Sequence, residues 1–406
     1  MGSTLGLERL LSALRKGERL FMGGSTGEVA PLTAALSEGR LPPLDLTTSF
    51  VPGVNIMPAH LPPGTRIANP FPLRTDATVD HLALTYSGYA AWVAGQTFDT
   101  CVVHVAPPVR GRRASLGTAA EFTLIAAARS ARVFAVINPA IPDLPDAAHL
   151  DLDDAALVFE VASPLAQYST GQINAEADAI AACIAGFIGD GAALQVGLGK
   201  VPDALMARLQ GRRGLRLQSG MLSDSIRPLA EAGALNPDWM HTSCVHVGTA
   251  AHYDWLRGRR GFAVLGCDVT HSAAVLNRVN GLIAVNGALE VDLLGRANLE
   301  FAGSVRISSI GGAPDFARAA QRDPKGISIV GLPANVPKDG SSRIVAALAA
   351  PPSLTAHEVE VVVTEFGSAD LRGTWGDARA ESLIAIAHPD HRPALAEAWA
   401  RRASTG

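Results

Sequence analysis

The sequence predicts an α/β fold of two tandem domains, each a sheet layered between helices and related to the other by internal duplication. Three observations carry that expectation. Apolar runs at 101–106, 132–138 and 157–162 alternate with helical patterns, as in a sheet covered on both faces. The order of signals in residues 7–36 recurs in 178–209: helix, glycine, short strand, glycine loop, then a helix opened by proline. Aligned, Gly17 meets Gly191, Leu20 meets Leu194, Gly23 meets Gly197 and, after a small difference in loop length, Pro31 meets Pro202. Finally, 406 residues are enough for two full cores. The expected domains are residues 1–174 and 175–406.

Taken in order, the first domain opens with a helix of leucines at helical spacing, a strand at 20–22, a Gly23-Gly24 loop and a helix after Pro31. Residues 40–72 are rich in proline and poor in charge, which predicts irregular surface or a lid. Strands at 101–106, 132–138 and 157–162 follow, with turns at Pro107-Pro108 and 139–145. In the second domain a strand at 193–196 breaks at Gly197 and Gly199, and Pro202 falls in the first turn of the next helix. Strands are expected at 215–219 and near Val245, Ala263, Leu282 and Ile307. Residues 308–315 run from strand into loop and helix. Two further buried strands, 326–331 and 359–364, precede helices at 379–386 and 393–402, separated by His388-Pro389-Asp390.

The net charge is −4 and no block of lysine or arginine exceeds a pair, which argues against a nucleic-acid surface. The longest apolar run, 179–189, stops at Asp190, short of a membrane span. The N-terminus lacks an apolar core followed by a cleavage site, so a cytoplasmic, soluble protein is expected. Cys101, Cys183, Cys244 and Cys267 form no C-x-x-C, and the histidines show no H-x-x-x-H paired with a glutamate. No disulfide framework and no metal are therefore expected. Pro202 stands where a dinucleotide fingerprint wants its third glycine, which discounts a nicotinamide cofactor.

The chemistry concentrates around residues 190–225. A strand, a glycine loop and a helix N-terminus make a site for an anion or a carbonyl, because the backbone is approachable and the first helical N–H groups have no internal partner. Carboxylates beside such loops suit thioester chemistry, as attacking group or as activator of water. Glu290, Glu365 and Asp224 are the candidates. Each has a plain structural alternative: Glu290 on a strand surface, Glu365 capping the turn before Gly367, Asp224 as N-cap of the next helix. The glycine pair has one too, as an ordinary βα turn.

Several segments together resemble one family. QVGLGKVPDALMARL, GMLSDSIRPLAEAGAL, VNGALEVDLLGRAN, SSIGGAPDFARAA and, most specifically, VVVTEFGSADLRG followed by ESLIAIAHPDHRPAL are similar to the acetyl-CoA hydrolase/transferase family. This is the branch of class I CoA-transferases that includes 4-hydroxybutyrate CoA-transferase. The resemblance covers residues 190–400; the first half matches more loosely, through DTCVVHVAPPVRGRRASLGTAAEF and FAVINPAIP. It implies two CoA-transferase-type α/β/α domains, a homodimer, coenzyme A as acyl-CoA substrate and a small carboxylic acid as partner. It also implies a ping-pong route in which an enzyme glutamate attacks the acyl-CoA and becomes a glutamyl-CoA thioester. An oxyanion contact would fall at Val196 and Gly197, beside Gly199, with Gly311, Gly312, Asn286 and Gly373 along the CoA or acyl pocket.

One departure bears on mechanism. The family pattern is of the type T-E-M-x-S-D, and the chain reads Gln218-Ser219-Gly220-Met221-Leu222-Ser223-Asp224, so Gly220 stands at the position of the nucleophile. Glycine cannot form a thioester. Three readings follow: hydrolysis with a carboxylate such as Glu290 activating water, transfer by another carboxylate or by direct attack of a bound acid, and CoA binding without turnover. NPFPLRTDATVDHLALTYSGYAAW also differs from the family's usual lid sequence, which fits a changed acyl substrate.

Overall fold

In the computed structural model, which describes residues 2–403, the chain forms two compact units. The first comprises the chain up to Ser169 together with Ser219–Asp224 and Asp238–Ser272. The second comprises Thr170–Gln218, Ser225–Pro237 and everything from Ala273 onward. The first exit lies close to the expected boundary after residue 174, but the chain returns to the first unit twice.

The first unit contains α1 (Gly2–Ala13), β1 (Arg19–Met22), α2 (Ala30–Ser37), β2 (Asp45–Thr48), β3 (Arg66–Asn69), β4 (Thr78–His81), α3 (Tyr86–Ala94), β5 (Phe98–Val105), β6 (Ser130–Ile137) and β7 (Leu157–Glu160). Its seven strands lie in the order β4-β3-β2-β1-β5-β6-β7, every pair parallel. A parallel sheet must be covered on both faces, and the strands are accordingly apolar: Leu20, Phe21, Met22, Cys101 and Val103 are wholly buried. Leu10 and Leu11 of α1 and Leu32 and Leu36 of α2 join Leu46, Ile67, Phe134 and Phe159 in one core. Fully burying each such side chain contributes about 1.5–3 kcal/mol.

The proline-rich stretch 40–72, expected to be irregular, instead supplies two strands of this sheet. β2 and β3 pair in parallel, Leu46 opposite Ile67. Each strand is a four-residue run without proline, so no ladder N–H is lost, and the prolines punctuate the connections.

The second unit contains α4 (Ala175–Ala185), β8 (Ala193–Val196), α5 (Lys200–Arg208), β9 (Arg216–Leu217), β10 (Leu282–Gly287), α6 (Ala313–Ala320), β11 (Ile327–Gly331), β12 (Val361–Thr364), β13 (Gly367–Asp370), α7 (Gly376–Ala385) and α8 (Arg392–Ala403). The sheet order is β9-β8-β10-β11-β12-β13, parallel except for the antiparallel pair β12–β13. Near Ile307 there is only a two-residue hairpin, Phe301–Ala302 with Val305–Arg306. The strands near Val245 and Ala263 join neither large sheet. Val245–His246 pairs with Met221–Leu222, and Phe262–Val264 pairs with His241–Ser243, all within the first unit.

The recurring sequence grammar has local structural counterparts. Gly17 and Gly191 both sit at left-handed φ, +70° and +72°, ahead of β1 and β8. Each of those strands pairs on one side with the next strand in sequence, β2 or β9, and on the other with a later one, β5 or β10. Such a reversal of strand order opens a crevice at the carboxyl ends of the strands, where ligands collect in α/β sheets. Among the described residues, no helix is long and apolar enough to cross a membrane.

Candidate active site

In the second unit the reversal falls between β8 and β10, in register Val196 to Val285. Two carboxamides straddle it. Gln195 Nε2 donates to Asn286 Oδ1 at 3.3 Å, while Asn286 Nδ2 and Gln195 Oε1 are buried without a partner. Leaving each such group unpaired costs about 1–3 kcal/mol, which a ligand carrying a complementary polar atom would recover. Beyond Val196, the glycine turn divides its labour. Gly199, at φ 137° and ψ 176°, occupies backbone space open essentially to glycine alone and forms the N-cap of α5 without a side-chain bond. Gly197 lacks that constraint, and a Cβ built on it meets nothing within 4 Å, so the space beside it is open.

Glu290 begins a short strand, Glu290–Asp292, just past the end of β10. Its carboxylate accepts from Asn298 Nδ2 at 3.2 Å. Glu365, at the end of β12, accepts the Ala334 N–H at 2.8 Å. Half-buried Arg343, which feels both carboxylates, donates to the carbonyls of Leu289 and Asn335. Desolvation lowers the Arg343 pKa, against the pull of Glu290 and Glu365. The fold thus lines the carboxyl edge of this sheet with two acids around one base, an arrangement that sequence spacing did not reveal for Arg343.

Gly311 (φ 56°) and Gly312 precede α6, and Gly312 forms its N-cap. Since α6 runs back to the start of β11, both glycines lie on the carboxyl-edge side. Gly373 does not join them. It follows β13, which is antiparallel to β12 with Asp370 opposite Val361, and therefore lies at the other edge of the sheet.

Gly220 and Asp224 belong to the first unit. The Gly220 carbonyl accepts from Cys244 N at 2.8 Å, Val245 N at 3.2 Å and Cys244 Sγ at 3.1 Å. Asp224 accepts from Thr249 N at 2.9 Å and Thr249 Oγ1 at 2.6 Å, which ties down the entry to the helix Ala250–Leu256. The helix after it, Ile226–Glu231, has Ser225 as N-cap, so Asp224 is not the cap expected there.

A carboxyl that the sequence reading did not single out dominates the first unit. Glu121 is almost wholly buried, with Oε1 accepting from Ser25 Oγ at 2.9 Å and Oε2 from Ser49 Oγ at 2.7 Å. Ser25 and Ser49 follow β1 and β2, so the acid sits at carboxyl ends of the parallel sheet. Burial raises its pKa to about 7, against the lowering effect of Ser49, Ser25 and the Gly24 N–H. Ser25 (φ 49°) and Glu121 (φ 31°) are also the non-glycine residues with positive φ among those described. Backbone strain and a carboxyl that titrates near neutrality thus coincide. The available signal was one acid in an otherwise apolar or small run, Ala119-Ala120-Glu121-Phe122.

The chain is similar to known proteins in sequence and in fold. Residues 248–399 match the model of the acetyl-CoA hydrolase/transferase C-terminal domain. The 4-hydroxybutyrate coenzyme A transferase of Clostridium kluyveri is 30% identical over 312 residues, 75% of this chain and 73% of its own length. An acetyl-CoA hydrolase of Candida albicans is 33% identical over 220 residues, 51% of this chain and 40% of its own. The crystal structure of 4-hydroxybutyrate CoA-transferase from Porphyromonas gingivalis superposes with a TM-score of 0.80 at 25% identity, covering 98% of this chain and 97% of that one.

Proposed function

Because the chain belongs to the acetyl-CoA hydrolase/transferase family, we propose that its acyl-CoA chemistry runs at the carboxyl edge of the second unit's sheet. The chain is an acyl-CoA-processing enzyme of the CoA-transferase or thioester-hydrolase kind. Transfer is the better-supported reaction, since the transferase relative is matched over 73% of its length and the hydrolase over 40%. The observation that carries the site is the unpaired donor of Asn286 at the strand reversal, beside the open space at Gly197. Asn286 Nδ2 would donate to the thioester oxygen as negative charge grows on it. Val196 and Gly199 shape the turn, and Gly311 and Gly312 lie on the same edge.

With glycine at 220, the attacking carboxylate must come from elsewhere, and Glu290 is the carboxylate next to the strand end. In transfer, a Glu290 oxygen bonds to the acyl carbon, the C–S bond breaks and CoA leaves as thiolate. The thiolate then attacks the glutamyl carbonyl and releases the first acid; a second acid reverses the steps. In hydrolysis, Glu290 instead takes a proton from the attacking water. We further read the protein as a cytoplasmic homodimer that engages neither nucleic acid nor membrane. Light scattering that returns the 42.1 kDa of a single chain would remove the dimer.

The deciding experiment incubates the protein with a panel of acyl-CoAs, with and without acetate, and follows free CoA, new acyl-CoA and protein adducts by mass spectrometry. Acetyl-CoA formed only with acetate identifies transfer, and free CoA without acetate identifies hydrolysis. Binding with no product would make the protein a CoA-binding module. Glu290→Gln should reduce turnover at least ~100-fold with acyl-CoA affinity unchanged, the scale expected on losing a reacting carboxylate. Unchanged turnover in that variant excludes Glu290.

A further inference from the structure

We propose that the first unit binds one zinc ion through Cys244, Cys267 and His271. The three side chains are buried, and one ligand atom from each lies within 4.8 Å of the others. Among the described residues this is the grouping of cysteine, histidine and acidic side chains close enough to hold a metal. Cys267 and His271 stand four residues apart on one helical turn, Cys267–Thr270, with the His271 N–H bonded to the Cys267 carbonyl at 3.1 Å. That spacing puts thiol and imidazole on the same side of the turn. Cys244 enters from the bend between His241–Ser243 and Val245–His246.

The donor set matches the ion in kind and in charge. Zinc takes thiolate sulfur and imidazole nitrogen at about 2.3 and 2.0 Å in tetrahedral sites, so ligand atoms roughly 3.5–3.8 Å apart are wanted. Side-chain movements of about 1 Å or less would bring a set spanning 4.8 Å to that separation. A dication with two thiolates and one neutral imidazole carries no net charge, which suits a fully buried position. The Thr270 hydroxyl meets His271 Nδ1 at 2.8 Å and holds the ring in place. On binding, the two thiols lose their protons to the buffer and two S–Zn bonds form. Gly220 O then loses its contact with the Cys244 thiol but keeps the N–H groups of Cys244 and Val245. Three protein ligands leave the fourth position to water or another small ligand.

This inference stands independently of the reaction assigned above. Neither C-x-x-C nor H-x-x-x-H spacing announces the set, because Cys244 is remote in sequence and meets the Cys267-x-x-x-His271 pair only in the fold.

The test uses full-length, tag-free protein purified under reducing conditions from zinc-supplemented medium. Elemental analysis should return one zinc per chain. Exchange into cobalt should give the visible d–d bands of a tetrahedral site with thiolate-to-cobalt charge transfer. Cys244→Ser and Cys267→Ser, checked for native circular dichroism, should each lose the charge-transfer band or at least half of its intensity, with zinc content falling about tenfold. Wild-type protein that takes up neither zinc nor cobalt while both thiols stay reduced would overturn the proposal without recourse to any variant. So would a Cys244–Cys267 disulfide in the reduced preparation, or zinc retained in the Cys244→Ser, Cys267→Ser double variant.

Discussion

Glu121 shows how one side chain can tie stability to pH. Its carboxyl, ordinarily near 4.5, is held at about 7 in the folded chain by burial. The folded state therefore keeps a proton that the unfolded state gives up between those values, and the stabilisation, full below pH 4.5, is lost as pH rises through 7. That difference is worth roughly 3 kcal/mol. Glu121→Gln retains the shape and an acceptor for Ser25 but cannot ionise. Denaturant unfolding of both proteins from pH 5 to 8 should show the wild type losing roughly 2.5 kcal/mol relative to the variant. Parallel pH profiles would mean that the folded and unfolded states bind the Glu121 proton equally. Asp224 makes the opposite lesson. Spacing suggested a helix cap or a catalytic acid, and its carboxylate bonds Thr249 at the entry to a different helix from the one expected.

At the scale of elements, the strand–turn–helix unit at β8 and α5 distinguishes glycines that the sequence presents alike. Gly199 holds a glycine-only conformation, so Gly199→Ala should cost about 1–3 kcal/mol of stability. Gly197 has ordinary backbone and open space, so Gly197→Ala should leave stability unchanged or raise it by up to about 1 kcal/mol. Equal losses in the two variants, measured by urea unfolding, would contradict this division. Gly24 is constrained by packing instead: a Cβ there would lie 2.0 Å from the Ser49 carbonyl oxygen, close to the Glu121 carboxylate. Helices and long strands were legible because period and punctuation agree within a few residues. β2 and β3 were not, since four-residue strands between prolines carry too few positions to show a period.

For the whole molecule, the decisive feature is the return of residues 219–224 and 238–272 to the first unit. Those segments bring buried side chains, among them Val245, Val247, Tyr253, Phe262 and Val264, and Tyr253 packs with Ala106, Ile141 and Leu165. The Ala120 N–H also depends on the Cys244 carbonyl, at 3.0 Å. A fragment of residues 1–174 would expose these apolar surfaces and orphan these backbone groups. It should therefore lack a cooperative thermal transition, whereas the full chain should show one. A cooperative transition in the fragment, followed by circular dichroism, would show that the later segments are dispensable.

The sequence by itself determined the α/β class, the glycine turn and Pro202 helix, the carboxylates worth testing and, through several ordered motifs, the family. These signals are local: they rest on period, on turn chemistry and on contiguous residues. Tertiary structure decided what depends on meetings between distant residues. It put Arg343 within the field of Glu290 and Glu365, paired Gln195 with Asn286, moved Gly373 to the far edge, enclosed Glu121 with Ser25 and Ser49, and gathered Cys244 with Cys267 and His271. Burial and neighbouring dipoles set the chemistry of such groups, and neither exists until the chain has folded.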